Sequence, residues 1–218
     1  MIELKNVTKY YKIKKKKHYI LNNVSCKFPE GKSIGILGKN GAGKSTLLRI
    51  LGGVEKPNEG KVDVSSSISW PVGLASGFQG SLNAEQNIKF VCQIYNKTKK
   101  EKADIIKYVK DFADIGDFFY TPVKSYSSGM RSRINFGLSM AFDFDYYLVD
   151  EATSVGDASF KKKAKTEFDK KKDTSNIILV SHSMKEIKRY ADIGILLKDG
   201  ALEIYNDIDE AISQYLNI

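Results

Sequence analysis

The chain has 218 residues, 42% apolar and 28% charged with four prolines, which suffices to bury one sizeable core and argues against disordered tracts or long linkers. Its net charge of +9, mostly lysine, is compatible with nucleic acid, an anionic surface or a phosphate ligand, although a solvated basic surface accounts for it more simply. Two cysteines far apart in sequence exclude a disulfide framework or a cysteine metal cluster, and no apolar run approaches the roughly 20 residues that span a bilayer.

Residues 1–7 alternate apolar and polar as an edge strand does, and residues 19–28 read as a second strand, with the lysine run 14–17 in a solvated loop between them. Residues 33–37 are a short apolar run ending at Gly38, a buried strand that feeds a glycine-rich turn, and residues 45–51 carry good helix formers. Residues 61–69 are strand-like. Helical spacing follows over 84–95 and 99–115, with Ile88, Val91, Cys92 and Tyr95 on one stripe, and again over 129–141. Residues 146–149 form a buried strand that ends on two carboxylates. Then come a helix over 157–171, a strand over 176–180 and a helix over 184–190. Asp199-Gly200 between the strands 192–198 and 201–206 is a strong hairpin signal, and a helix over 208–216 carries Ile208, Ala211, Ile212, Tyr215 and Leu216 on one face. Strands alternating with helices predict an α/β core, and the helix-rich stretch near 80–125 predicts a subdomain.

Gly38-Lys39-Asn40-Gly41-Ala42-Gly43-Lys44-Ser45 matches the phosphate-binding pattern GxxxxGK[ST] and stands between a predicted strand and a predicted helix, as that loop requires. Glycines let the backbone wrap closely, so that successive N–H groups point at phosphate oxygens, and the helix adds its positive end. Lys44 can reach the β- and γ-phosphates, Ser45 can offer a hydroxyl to Mg²⁺, and Thr46 can support the phosphates. In the run from Asp145 to Glu151 an apolar strand ends in paired acids: Asp150 is suited to hold Mg²⁺ through water and Glu151 to polarise the attacking water. Asn96-Lys97-Thr98-Lys99 lacks the aspartate of the guanine-selecting Asn-Lys-x-Asp, which argues against a GTPase.

Together these residues resemble the ATP-binding subunits of ABC transporters, over nearly the whole chain and in that family's order. The resemblance implies a P-loop NTPase core with an N-terminal antiparallel β subdomain and an inserted α-helical subdomain at about 80–142, in a single nucleotide-binding domain spanning 1–218. It implies that Tyr11 stacks on adenine, with Tyr10 and Tyr19 as rivals, and that Gln79, in Gly77-Phe78-Gln79-Gly80, senses Mg²⁺ and the membrane partner. Tyr126-Ser127-Ser128-Gly129-Met130 corresponds to the signature usually written LSGGQ and departs from it at the first, third and last positions. Ser127 still offers a hydroxyl, and Gly129 is expected to open a helix whose N-terminus faces a γ-phosphate. Asp157 falls at the D-loop, which contacts the opposite subunit, and doubles as a helix N-cap. His182, in Val180-Ser181-His182-Ser183, follows an apolar strand as the family's switch histidine does.

The catalytic residues implied are therefore Glu151, His182 and Gln79, with Ser45, Gln79 and Asp150 around Mg²⁺ and residues 38–46 with Tyr11 around ATP. One P-loop and one signature imply an ATP-sandwich homodimer with two copies of a separate polytopic permease, on the cytoplasmic face of a bacterial inner membrane. The segments 69–82, 126–133 with 136–142, and 144–151 closely resemble ATPases of capsular polysaccharide exporters, and no C-terminal carbohydrate-binding domain is expected. The alternatives are the ATPase of another exporter (O-antigen, teichoic acid or lipid) and a soluble ABC ATPase acting on nucleic acid or ribosomes. Basic charge without a nucleic-acid motif disfavours the last.

Overall fold

The computed structural model describes residues 1–72, 78–150 and 157–218. These fall into two compact units: residues 1–71, 144–150 and 172–218, and residues 72, 78–143 and 157–171.

The first unit contains two sheets. Strands β1 (Ile2–Ile13) and β2 (Lys16–Phe28) form a long antiparallel hairpin, and β4 (Glu59–Val64) pairs with the other edge of β1, giving the order β2-β1-β4. The second sheet has the order β5-β6-β3-β7-β8, formed by β3 (Ile34–Leu37), β5 (Tyr146–Asp150), β6 (Asn176–Val180), β7 (Ile193–Lys198) and β8 (Ala201–Tyr205). It is parallel except for β8, which returns through the Asp199-Gly200 turn. The central strand β3 is buried at all four positions, as expected of an apolar run with neighbours on both sides. Its one-sided alternative would have shown alternation. Helix α1 (Lys44–Leu51) buries Leu47, Leu48, Ile50 and Leu51 in the same core as Ile36, Leu148, Ile178 and Ile195, each such side chain worth about 1.5–3 kcal/mol when withdrawn from water. Helices α6 (Met184–Tyr190) and α7 (Ile208–Leu216) complete the unit.

The second unit is helical: α2 (Ala84–Ile94), α3 (Lys99–Ala113), α4 (Ser128–Met140) and most of α5 (Ala158–Lys172). Both α2 and α3 open on full capping boxes, Asn83 with Gln86 and Thr98 with Glu101. The centre is aromatic: Phe112 lies 5.6 Å from Phe136 and 5.5 Å from Phe160 between ring centroids.

Four features depart from the sequence expectations. The lysine run is no loop: both strands continue to a tight turn at Lys14 and Lys15, with Tyr10 against Tyr19 at 5.6 Å and Lys17 over the Tyr10 ring, so cross-strand pairing extends the hairpin beyond its apolar stretch. The strand expected at 61–69 stops at Val64, and Ile68 makes only an isolated bridge to Tyr146. On α2, Ile88 and Cys92 are buried, whereas Tyr95 caps the C-terminus and is exposed. The helix expected over 99–115 ends at Ala113 because Asp114 turns left-handed, and two short 3-10 turns follow at Gly116–Tyr120 and Val123–Ser125.

Candidate nucleotide site

Ligand sites of open parallel sheets form at the carboxyl ends of the strands. Here β3, β6 and β5 are neighbours, and their carboxyl ends carry the glycine loop, His182 and Asp150 respectively; Asp150 is in register with Val180, two residues before His182. A cavity of about 350 Å³ is lined by Ile20, Asn40, Gly41, Gly43, Lys44, Ser45, Thr46, Val180 and His182. Sequence-distant residues of the predicted site thus share one space.

The loop that forms this cavity is held by its own backbone. Ala42 N–H donates to the Lys39 carbonyl at 3.1 Å, and Leu47 N–H donates to Gly43 at 2.9 Å. Gly43 has φ +105, and a Cβ there would lie 2.1 Å from Ile20 Cγ2. Glycine is therefore required twice over, by backbone conformation and by the approach of β2. Lys44 Nζ donates to the carbonyls of Gly38 (2.7 Å) and Lys39 (3.1 Å), which keeps its charge folded over the loop. Lys39, Asn40, Gly41 and Ala42 also line an adjoining cavity of about 310 Å³ with His18, Tyr19 and Lys198.

The three tyrosines differ in surroundings. The Tyr11 hydroxyl donates to Glu55 Oε1 at 2.6 Å and lies 3.5 Å from Thr46 Oγ1, at the start of α1. Tyr19 lines the adjoining cavity, and Tyr10 is engaged by Tyr19 and Lys17. Glu55 also accepts from Lys9 at 2.8 Å and Arg49 at 3.1 Å. Partial burial acts to raise its pKa, but the hydrogen bonds from Lys9, Tyr11 and Arg49 outweigh that and hold it at about 2. His182 is exposed on a short turn whose ends are fixed: Ser181 Oγ donates to Glu186 at 2.7 Å and accepts from Ser183 N–H, while Ser183 caps α6.

The remaining predicted residues lie in the helical unit. Ser127 is the N-cap of α4, its Oγ accepting from Met130 N–H at 3.2 Å; Ser128 is exposed and Gly129 half-buried in the first turn. Ser127, Gly129, Met130, Arg133 and Asp157 line a cavity of about 460 Å³ together with Asp114, Ile115 and Phe118. Asp157 accepts from Phe160 N–H at 2.9 Å and from Arg133, whose guanidinium lies over the Phe160 ring. Chiefly the Phe160 amide, with Arg133 adding, holds the Asp157 carboxyl below its usual range. Gln79 is exposed and tied by its backbone: its N–H donates to Asn87 Oδ1 at 2.7 Å, and its carbonyl accepts from Asn87 Nδ2. Glu151 lies outside the described residues, as do 73–77 of the aromatic segment and 154–156 before Asp157.

Three positioning residues were not anticipated. Asn87 is 1% exposed and its signal was available, an amide on the apolar stripe Ala84, Ile88, Cys92. Glu55 and Arg133 give no such sign, because most of their partners are distant in sequence.

The chain matches the ABC transporter family over residues 21–154. It is 50% identical to the polysialic acid transport ATP-binding protein KpsT of Escherichia coli over 99% of this chain and 98% of that protein. It is 44% identical to the ATP-binding protein BexA of Haemophilus influenzae (99% and 98% covered) and to the capsule polysaccharide export ATP-binding protein CtrD of Neisseria meningitidis (99% and 98%). Among solved structures it resembles the dimeric, post-hydrolysis ATP-binding cassette MJ0796 bound to ADP and Pi, with a TM-score of 0.74, 26% identity and coverage of 93% and 97%. Among the described residues no helix is long and apolar enough to cross a membrane. The glycine loop at the carboxyl end of the central parallel strand, the capped helix α4 and near-complete alignment with these proteins agree: the chain belongs to the ABC transporter family, as one of its ATP-binding subunits.

Proposed function

We propose that this subunit hydrolyses ATP to drive export of a capsular polysaccharide, as a homodimer seated on two copies of a separate permease at the cytoplasmic face of the inner membrane. The observation that carries the ATP reading is the shared cavity of Gly41, Gly43, Lys44, Ser45 and His182 at the ends of β3 and β6. The cargo reading rests on the names of the relatives aligned over their whole length.

In this scheme the loop amides and Lys44 hold the triphosphate, and Lys44 must leave the carbonyls of Gly38 and Lys39 to do so. Tyr11 supports the adenine ring. Ser45 and Asp150 supply hard oxygen donors, the type Mg²⁺ selects, and Gln79 completes its surroundings. Mg²⁺ would neutralise charge on the phosphates. Glu151 orients and deprotonates the attacking water, and His182 meets the γ-phosphate. Ser127, Ser128 and Gly129 approach that phosphate from the second copy, with the N-terminus of α4 adding its positive end. Asp157 contacts the same copy. Binding energy spent on closing two subunits over ATP is released after hydrolysis and moves the permease. Exposed Phe90 and Ile94 on α2, following Gln79, offer it an apolar contact.

The test is Glu151→Gln in the purified complex with the permease. ATP should bind with near-normal affinity while turnover falls about 10²–10⁴-fold, the usual contribution of a general base. Near-normal turnover would remove Glu151 from the role. Stimulation of wild-type turnover by lipid-linked capsular glycan, and not by an unrelated lipid-linked glycan, tests the cargo.

A further inference from the structure

We propose that the lysine-rich tip of the β1–β2 hairpin docks on the acidic turn at Asp114 and Asp117 of a second copy of this chain, beside that copy's signature helix. The inference rests on the ATP-sandwich reading and adds a contact outside the phosphate site.

The hairpin tip is a free, one-signed surface. Residues 12–18 are all exposed, and Lys14, Lys15 and Lys16 make no ion pair among the described residues. Ile13 is 59% exposed between them. Lys14 and Lys15 occupy the turn at φ 51 and 31, positions that asparagine and glycine fill more easily than lysine does. At about 3.3 Å per residue the tip stands roughly 20 Å beyond Val7, where β1 leaves the core. Its base runs along the mouth of the phosphate loop: Ile20 lines the phosphate cavity, and His18 and Tyr19 line the adjoining one beside Asn40 and Gly41.

The complementary surface lies in the other unit. Asp114 shares a cavity with Ser127, Gly129 and Phe118. Asp114 and Asp117 are exposed and in no ion pair among the described residues; Lys110 is near enough to feel the Asp117 charge, Arg133 in the same cavity is paired with Asp157, and Phe118 beside them is 52% exposed. In a two-fold sandwich, whatever flanks the phosphate loop of one copy faces what flanks the signature of the other, and the contact occurs twice. Lysines thus meet carboxylates, and Ile13 meets Phe118. Each exposed ion pair is worth about twofold in affinity, so two pairs at each of two symmetric contacts, four in all, amount to about tenfold.

Sedimentation velocity of the full chain carrying Glu151→Gln, with ATP and Mg²⁺, tests this. Lys14→Glu with Lys15→Glu and Lys16→Glu should weaken the ATP-dependent dimer about tenfold at 50 mM NaCl, and clearly less at 500 mM, where such charges are screened. Asp114→Asn with Asp117→Lys should weaken it similarly, asparagine being chosen because it keeps the left-handed turn. Combining both sets should recover part of the loss, because Asp117→Lys restores one of the two pairs at each contact. Unchanged dimerisation of the lysine variant, or no recovery in the combination, overturns the contact while leaving the sandwich intact. So does loss of binding to phosphatidylglycerol vesicles with normal dimerisation, which would assign the tip to a membrane. No ATP-dependent dimer in the parent chain overturns the sandwich itself.

Discussion

The phosphate loop and the signature turn both present a glycine next to a helix start, yet they are built in opposite ways. Gly43 is locked: its φ is +105, and β2 leaves no room for a Cβ. Gly129 is open: among the described residues a Cβ there would meet only Ser127 Oγ, at 3.9 Å. The first glycine is needed by its own chain. Among the described residues nothing requires the second, so a requirement for it would point to something that approaches from outside. That asymmetry is what a composite site predicts, one half shaped internally and the other kept bare for a second copy.

Gly43→Ala should break the locked half and have the largest effect. Overpacking against the stiff, β-branched Ile20 and left-handed strain together cost about 2–5 kcal/mol, and the loop amides lose their aim. Urea unfolding should show a lower midpoint, and nucleotide binding by calorimetry should be abolished. Wild-type affinity in this variant would mean that the loop repacks freely and that its glycines are not fixed by β2.

Gly129→Ala sharpens the comparison, because its two readouts should move oppositely. Alanine in the first turn of α4 removes backbone freedom from the unfolded chain, which is worth about 0.4–1 kcal/mol of added stability. The melting temperature should rise by roughly 2 °C. Turnover in the assembled transporter should nevertheless fall about tenfold or more, since in the proposed sandwich the added methyl stands where the other copy's phosphate approaches. Equal turnover would show that α4 is not a phosphate contact.

The same contrast explains what could be read in the sequence. The phosphate loop, the apolar strand before Asp150 and the Asp199-Gly200 hairpin are local patterns, in which spacing alone carries the physics. The α/β class followed from alternation of those patterns, and the family's order of motifs extended it. The length of the β1–β2 hairpin was not legible, because Tyr10 and Tyr19 pair across strands and a lysine run looks the same whether it ends a strand or fills a loop. The end of α3 turned on the single left-handed residue Asp114, for which no glycine gave warning. Asn87 was legible in principle, as an amide on an apolar stripe. Glu55 was not: its three donors come from β1 and α1, and nothing in the order of residues marks them as neighbours.

Glu55 offers the smallest and most specific test, placed between the rigid loop and the tyrosine beside it. Its pKa is held at about 2, below the ordinary value of 4.5, because Lys9, Tyr11 and Arg49 favour the charged form more than partial burial disfavours it. A carboxylate depressed on folding adds stability that is complete above its unfolded pKa and is lost as the proton returns. The contribution is therefore full above about pH 4.5 and fades as pH falls toward 2. Glu55→Gln should lower stability by roughly 1 kcal/mol or less at pH 7, the usual worth of a partly exposed charge pair. The gap between wild type and variant, from urea midpoints at successive pH values, should then narrow below pH 4.5. Other carboxylates titrate in the same range, Glu101 among them at about 2, but they do so in both proteins and cancel in the difference. A gap that widens on acidification would mean that Glu55 is better accommodated neutral, and the link from Lys9 and Arg49 through Glu55 to Tyr11 and Thr46 would have to be redrawn.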